Sequence, residues 1–170
     1  LLFLILSLTS ANAATPPSGL LALTPRPAPA LKLKNADGKA FDLASARGHW
    51  ALVHFWASWC GPCRKEMPTL PIMSAKLPDL KLILVNTSET DDEVFSFLAT
   101  VSPELDSLMD RDGTVTERWK PRGLPSSYLV DPQGQLCYLA LGGRDWTSSA
   151  YLQFLSSIVK YKRCPEKQRR

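Results

Sequence analysis

The sequence predicts an α/β domain: a central sheet with helices on both faces and a β-hairpin at its N-terminal end. Three observations carry this. Short apolar runs of strand length alternate with stretches of helical spacing through the middle of the chain. Hairpin signals flank that alternating region, one around Asp37-Gly38 and one around Pro132-Gln133-Gly134. The 170 residues, 45% hydrophobic and 21% charged, suit one domain with its own core and exclude bulk disorder.

The elements follow in chain order. "LLFLILSLTSANA" (1–13) is an apolar run followed by Ala11-Asn12-Ala13, the h-region and A-x-A cleavage pattern of a secretory signal peptide. It lacks a basic n-region and an initiator Met. The run is shorter than the roughly 20 residues a membrane span needs. Cleavage after Ala13 is expected, with an uncleaved N-terminal membrane anchor as the alternative. Residues 14–30 are rich in Pro and Ala and read as a semi-extended linker, because polyproline II builds no core. Residues 31–43 alternate apolar and polar about Asp37-Gly38, a hairpin. "ALVHFW" (51–56) is a buried strand. Residues 61–77 begin a helix with a Pro in the first turn, and Pro68 and Pro71 each predict a kink, because each removes a backbone donor. "LKLILVNTS" (80–88) is a second buried strand. Residues 91–101 open on acids, as a helix N-terminus prefers. A short strand (105–110), a short helix (114–119) and a hairpin (126–131 with 135–141) follow. Gly142-Gly143 ends the hairpin. Apolar residues at 146, 151, 152, 155, 158 and 159 form the stripe of a last helix over 145–162. The domain is thus expected over 31–162, with a basic tail over 163–170.

The charge of +4 is concentrated at the end: residues 160–170 hold six basic residues and one Glu. A nucleic-acid binder would carry a basic face on the fold itself, so this reads as a solvated tail and no nucleic-acid partner is expected.

The chemistry centres on "HFWASWCGPCRKEMP" (54–68). A structural zinc site needs four ligands, usually a second CxxC or a His pair. Cys137 and Cys164 stand alone in sequence, and His49 and His54 precede the motif, so no metal is expected. As a staple the pair closes a tiny loop and removes little unfolded-state entropy. A redox role has a positive case. Cys60 falls at a strand-to-helix turn, where free backbone N–H groups stabilise a thiolate, the species that attacks disulfides. Cys63 lies one turn along, placed to resolve the mixed disulfide, and Gly61-Pro62 keeps the turn tight.

The same stretch, followed by "GLPSSYLVD" (123–131) and Gly134, resembles the thioredoxin superfamily, and within it the TlpA/ResA-like exported thiol–disulfide oxidoreductases. The resemblance runs from about residue 31 to 160. It implies a thioredoxin-like fold with a central mixed sheet. Cys60 would be the nucleophile, Cys63 the resolving thiol and Cys60–Cys63 the redox disulfide. Trp59 would pack beside them. Pro125 would be a cis-proline facing the dithiol, with the backbone of Leu124 binding an extended substrate strand. Glu66 matches the family's acidic residue and would take a proton from Cys63; by spacing alone it would read as a solvated helix Glu. His54 departs from the family, which carries Asp or Asn there. It is either a proton carrier or a hydrogen-bonded core His. In this fold the last helix runs antiparallel to the last strand, so Cys137 and Cys164 could meet in a structural disulfide. The alternative is a buried Cys137 and a loose tail thiol.

The expected function is reduction of protein disulfides in the periplasm, in keeping with a family that often serves cytochrome c maturation by reducing apocytochrome CxxCH cysteines. Gly-Pro between the cysteines matches thioredoxin, near about −270 mV, against about −120 mV for strong oxidants. An exported reductase implies a membrane electron donor. A monomer without cofactors is expected. The alternatives are an oxidase or isomerase on the same fold, or a metal carrier, which the absence of any His after residue 54 argues against. The Pro-x-x-x-Thr/Ser-x-x-Cys surroundings of a peroxidatic cysteine are absent.

Overall fold

A computed structural model describes residues 15–165. The signal-peptide pattern of 1–13 and the end of the basic tail lie outside the described residues. The fold is organised about β4 (Trp50–Trp56), all seven residues of which are buried. Alternate side chains of a strand point to opposite faces, and β4 supplies two cores in this way. Trp50, Leu52 and Trp56 join one core with the buried residues of α1 (Gly61–Glu66), α2 (Thr69–Lys76), α3 (Asp91–Val101) and α5 (Ser149–Ile158). Ala51, Val53 and Phe55 join the other, with Val115 and Trp119 of α4 (Thr114–Trp119). The hairpin β2 (Lys32–Lys34) and β3 (Ala40–Asp42) lies on this second face.

The sheet has six strands in the order β1-β8-β7-β4-β5-β6. β5 (Leu80–Thr87) runs parallel to β4 and to β6 (Ser107–Asp110). β7 (Ser126–Val130) and β8 (Gln135–Leu141) add antiparallel strands on the other side. This is the mixed sheet expected, with helices on both faces. The predicted kink is a full break: α1 stops at Glu66 and α2 restarts at Thr69, with Pro68 at its N-cap. α3 starts with a reciprocal capping box between Thr90 and Glu93. α5 is shorter than its apolar stripe, because Trp146 packs from the preceding loop, where Asp145 accepts the Thr147 N–H at 2.8 Å.

One boundary is corrected. The stretch read as a linker over 14–30 contains β1 (Leu20–Pro27), paired antiparallel with β8 from Leu20↔Ala140 to Pro27↔Gln135. It is an edge strand, where a missing N–H facing away from the ladder costs nothing. Pro25 falls inside the register break between Ala22 and Arg26.

Candidate active site

The end of β4 leads through Ala57-Ser58-Trp59 into α1, and a buried carboxylate fixes that turn. Glu89 accepts the backbone N–H of Ser58 at 2.7 Å, the Ser58 hydroxyl, and the Asn86 side-chain amide at 2.6 Å. Three donors to one carboxylate hold the turn at the tip of the sheet. Arg64 reaches back to donate to the Ser58 carbonyl at 3.0 Å.

Cys60 is the N-cap of α1, and its Sγ accepts the backbone N–H of Cys63 at 3.2 Å. An N–H aimed at sulfur favours its charged form. The two cysteines are joined in a disulfide with Cα atoms 5.2 Å apart. Cys60 keeps 5% of its surface exposed and Cys63 none. Gly61 and Pro62 fill the first turn. Trp59 is 70% exposed, an apolar surface beside the dithiol.

Pro125 follows a cis Leu124–Pro125 bond. It leads straight into β7, whose Ser126 and Ser127 stand opposite Phe55 and His54. This register puts Pro125 at the CxxC end of β4. Leu124 is partly buried against both cores. The loop after β8 closes the other side: a Cβ on Gly143 would lie 2.9 Å from the Pro62 carbonyl oxygen.

Glu66 is buried, on the same face of α1 as Cys63. Its Oε2 accepts the Arg144 backbone N–H at 2.8 Å. Its Oε1 lies 3.3 Å from His54 Nε2, and the other ring nitrogen lies 2.8 Å from Ser127 Oγ. Burial pushes the Glu66 carboxyl up to about 7, against the opposing pull of the Arg144 N–H and charge. Burial also pushes His54 down to about 3, and the Arg144 charge acts in the same direction. Both shifts disfavour the charged form, as burial does to an acid and a base alike. A cavity of about 350 Å³, lined by Pro62, Lys65, Glu66, Thr69, Gly143, Arg144 and Asp145, reaches this carboxyl.

At the far end of the sheet, Cys137 and Cys164 are joined in a second disulfide, 27 residues apart, of the two arrangements the sequence left open. The nearby Asp131 carboxylate accepts the backbone N–H groups of Gln133, Gln135 and Cys164. Sequence reasoning missed Glu89, Ser127 and Arg144. Ser127 sat in a strand and carried no signal of its own. Arg144 offered one weak cue, a lone cation directly after Gly142-Gly143.

Comparison with known proteins agrees with this arrangement. The AhpC/TSA family matches residues 25–139. The thiol-disulfide oxidoreductase ResA of Bacillus subtilis is 26% identical over 117 residues, covering 68% of this chain and 65% of ResA. The thiol:disulfide interchange protein HelX of Rhodobacter capsulatus is 36% identical over 118 residues, covering 68% of this chain and 66% of HelX. The chain therefore spans a little under two thirds of the length of these relatives. Among solved structures, one described as the thiol:disulfide interchange protein DsbE of Chlorobium tepidum superposes with a TM-score of 0.71 at 29% identity. It covers 78% of this chain and 95% of its own. With its dithiol at the head of α1 and its match to the family over most of the sheet, the chain belongs to the AhpC/TSA family of the thioredoxin superfamily and is similar to the ResA/TlpA-like thiol–disulfide oxidoreductases within it.

Proposed function

We propose that the protein is a reductase of protein disulfides in the cell envelope, with Cys60 as attacking thiol and Cys63 as resolving thiol. The observation that carries this is the dithiol at the start of α1, in which only Cys60 retains exposure. In the reduced form, the Cys60 thiolate attacks a substrate disulfide. A Cys60–substrate S–S bond forms and the first substrate sulfur leaves as a thiolate. Cys63 gives its proton to Glu66 and attacks Cys60, releasing the second substrate sulfur. Two electrons have passed to the substrate, and the enzyme is left with the Cys60–Cys63 disulfide. Trp59 and the backbone beside cis-Pro125 bind the extended substrate segment.

The envelope assignment is supported by the leader pattern at the N-terminus and by the second disulfide, since such bonds persist in oxidising compartments. Among the described residues no helix is long and apolar enough to cross a membrane. The substrate class is an oxidised CxxCH segment of an apocytochrome, the electron donor a membrane dithiol, and the working form a monomer.

The test is direct. A Cys63→Ala variant accumulates a mixed disulfide with an oxidised CxxCH peptide, and a Cys60→Ala variant does not. The Cys60/Cys63 potential is expected near that of thioredoxin, about −270 mV. A value near about −120 mV would assign the protein to the oxidases, and exchange retained by Cys60→Ala would overturn the proposal.

A further inference from the structure

We propose that His54 is a positioning residue: held by Ser127, it directs its Nε2–H at Glu66 Oε1 and so sets the pH at which Glu66 accepts the Cys63 proton. This rests on Glu66 being that acceptor.

Strand register places the two side chains. His54 lies in β4 between Leu52 and Trp56, on the face that meets α1, and Ser127 stands directly opposite in β7. Backbone pairing therefore delivers a ring and a hydroxyl beneath the one buried carboxyl of α1. The ring is fully buried, with one nitrogen on the hydroxyl and the other 3.3 Å from the carboxyl. Glu66 Oε2 is occupied by the Arg144 N–H, so Oε1 is the oxygen left to take a proton. Among the described residues, neither Oε1 nor Nε2 has a well-aligned hydrogen-bond partner. The two atoms lie 3.3 Å apart, and the Trp146 side chain also acts on the carboxyl. Contacts of this kind are often misaligned before the substrate is bound, and the protein here is in its oxidised form.

A hydroxyl can donate as well as accept. With Ser127 donating to Nδ1, the ring proton sits on Nε2 and points at Oε1. That N–H stabilises the carboxylate, the form that can accept a proton. Burial alone would hold Glu66 protonated and useless as an acceptor at neutral pH. The Arg144 N–H and the Trp146 side chain oppose this, and the His54 N–H adds a further donor on Oε1. Once Oε1 is protonated it faces another N–H, which favours passing the proton on to solvent through the adjoining cavity. The other groups facing the pair are Cys60 and Cys63 on α1, the Trp146 indole, and Arg144 above the carboxyl. Lys65 and Asp145 stand at the cavity rim.

The experiment follows two quantities in the full chain: the pH midpoint of the rate of exchange with a disulfide peptide, and the carbon-13 titration of the Glu66 carboxyl in the oxidised protein. His54→Phe removes the donor, and both midpoints move up by about one pH unit. His54→Gln, whose amide supplies an N–H, brings them back toward the parent. Ser127→Ala frees the ring and moves them up by less. If His54→Phe does not fold, Ser127→Ala carries the test. Unchanged midpoints in the folded variants overturn the role of His54. Glu66→Gln separates this from the premise. If it abolishes the near-neutral midpoint of the rate, the Glu66 reading stands whatever His54 does. If it leaves that midpoint in place, the Glu66 reading falls as well.

Discussion

Replacing Glu66 by Gln is expected to make the protein more stable and less active at once. The carboxyl is pushed from an ordinary 4.5 up to about 7 by burial. An acid whose folded-state pKa is raised binds its proton more tightly in the folded protein. Its contribution is therefore complete below about pH 4.5 and is lost as the pH rises through 7. At 1.36 kcal/mol per pH unit, that displacement converts to roughly 3 kcal/mol lost between acid and pH 8. Gln keeps the shape and can still accept the Arg144 N–H, but it has no charge to bury. Urea unfolding of the oxidised protein at steps from pH 4.5 to 8 reads the effect. His54 acts in the other direction: its lowered pKa costs stability as the pH falls below its ordinary 6.5. That cost is common to both proteins, so the difference between them isolates Glu66. The difference should grow with pH by roughly 3 kcal/mol in favour of Glu66→Gln. The same variant should slow the resolving step at pH 7, on the order of 10²-fold. A difference curve flat to within about 1 kcal/mol would refute the reasoning, because the carboxyl would then not be titrating in a desolvated site.

Two further outcomes follow from the two ends of the sheet. The Cys137–Cys164 bond closes 27 residues and the Cys60–Cys63 bond only 3. Loop entropy assigns about 3.5 kcal/mol to the first and about 1.6 kcal/mol to the second. Cys137→Ala/Cys164→Ala should therefore lower Tm by roughly 10 °C in calorimetry, with disulfide exchange retained; a loss under about 1 kcal/mol would remove it as the staple. Gly143→Ala places a methyl group 2.9 Å from the Pro62 carbonyl oxygen and 3.1 Å from Pro62 Cβ. Something must shift, and the CxxC turn is what it meets. Insulin reduction should fall and stability drop by roughly 1–3 kcal/mol; native values for both would show that the loop is not pressed against the turn.

The sequence made the alternating core legible because burial on both faces leaves long apolar runs, as in β4 and β5, and because α3 carries its own acidic start. Cys60 and Cys63 were legible because their spacing at a strand–helix junction has a chemical meaning, whereas Glu66 and Pro125 were read only through the resemblance, since spacing alone makes them a solvated helix acid and a turn proline. β1 was not. An edge strand is held by backbone hydrogen bonds to one neighbour, so its side chains, mostly exposed here, need no alternation, and its prolines pointed to a linker. Ser127 and Arg144 were illegible for a different reason. Each reaches its partner across more than seventy positions, Ser127 meeting His54 through strand register and Arg144 meeting Glu66 through a loop backbone N–H. Nothing local distinguishes such residues from solvated neighbours. Glu89 fell between a strand and a helix, where an acid is ordinary; only its burial against Ser58 reveals it.

β1 also fixes the end of the molecule at which Thr15 lies. It starts opposite Ala140, the end of β8 that leads to Arg144, and the Ser18 carbonyl accepts from Tyr151 Oη at 2.9 Å while Arg144 donates to the same hydroxyl. Thr15 thus lies at the dithiol end of the sheet. Were the protein fixed to a bilayer through its N-terminal side, the attachment and the dithiol would share that end. A dithiol held that way meets partners fixed in the same plane at a local concentration set by tether length, not by bulk abundance.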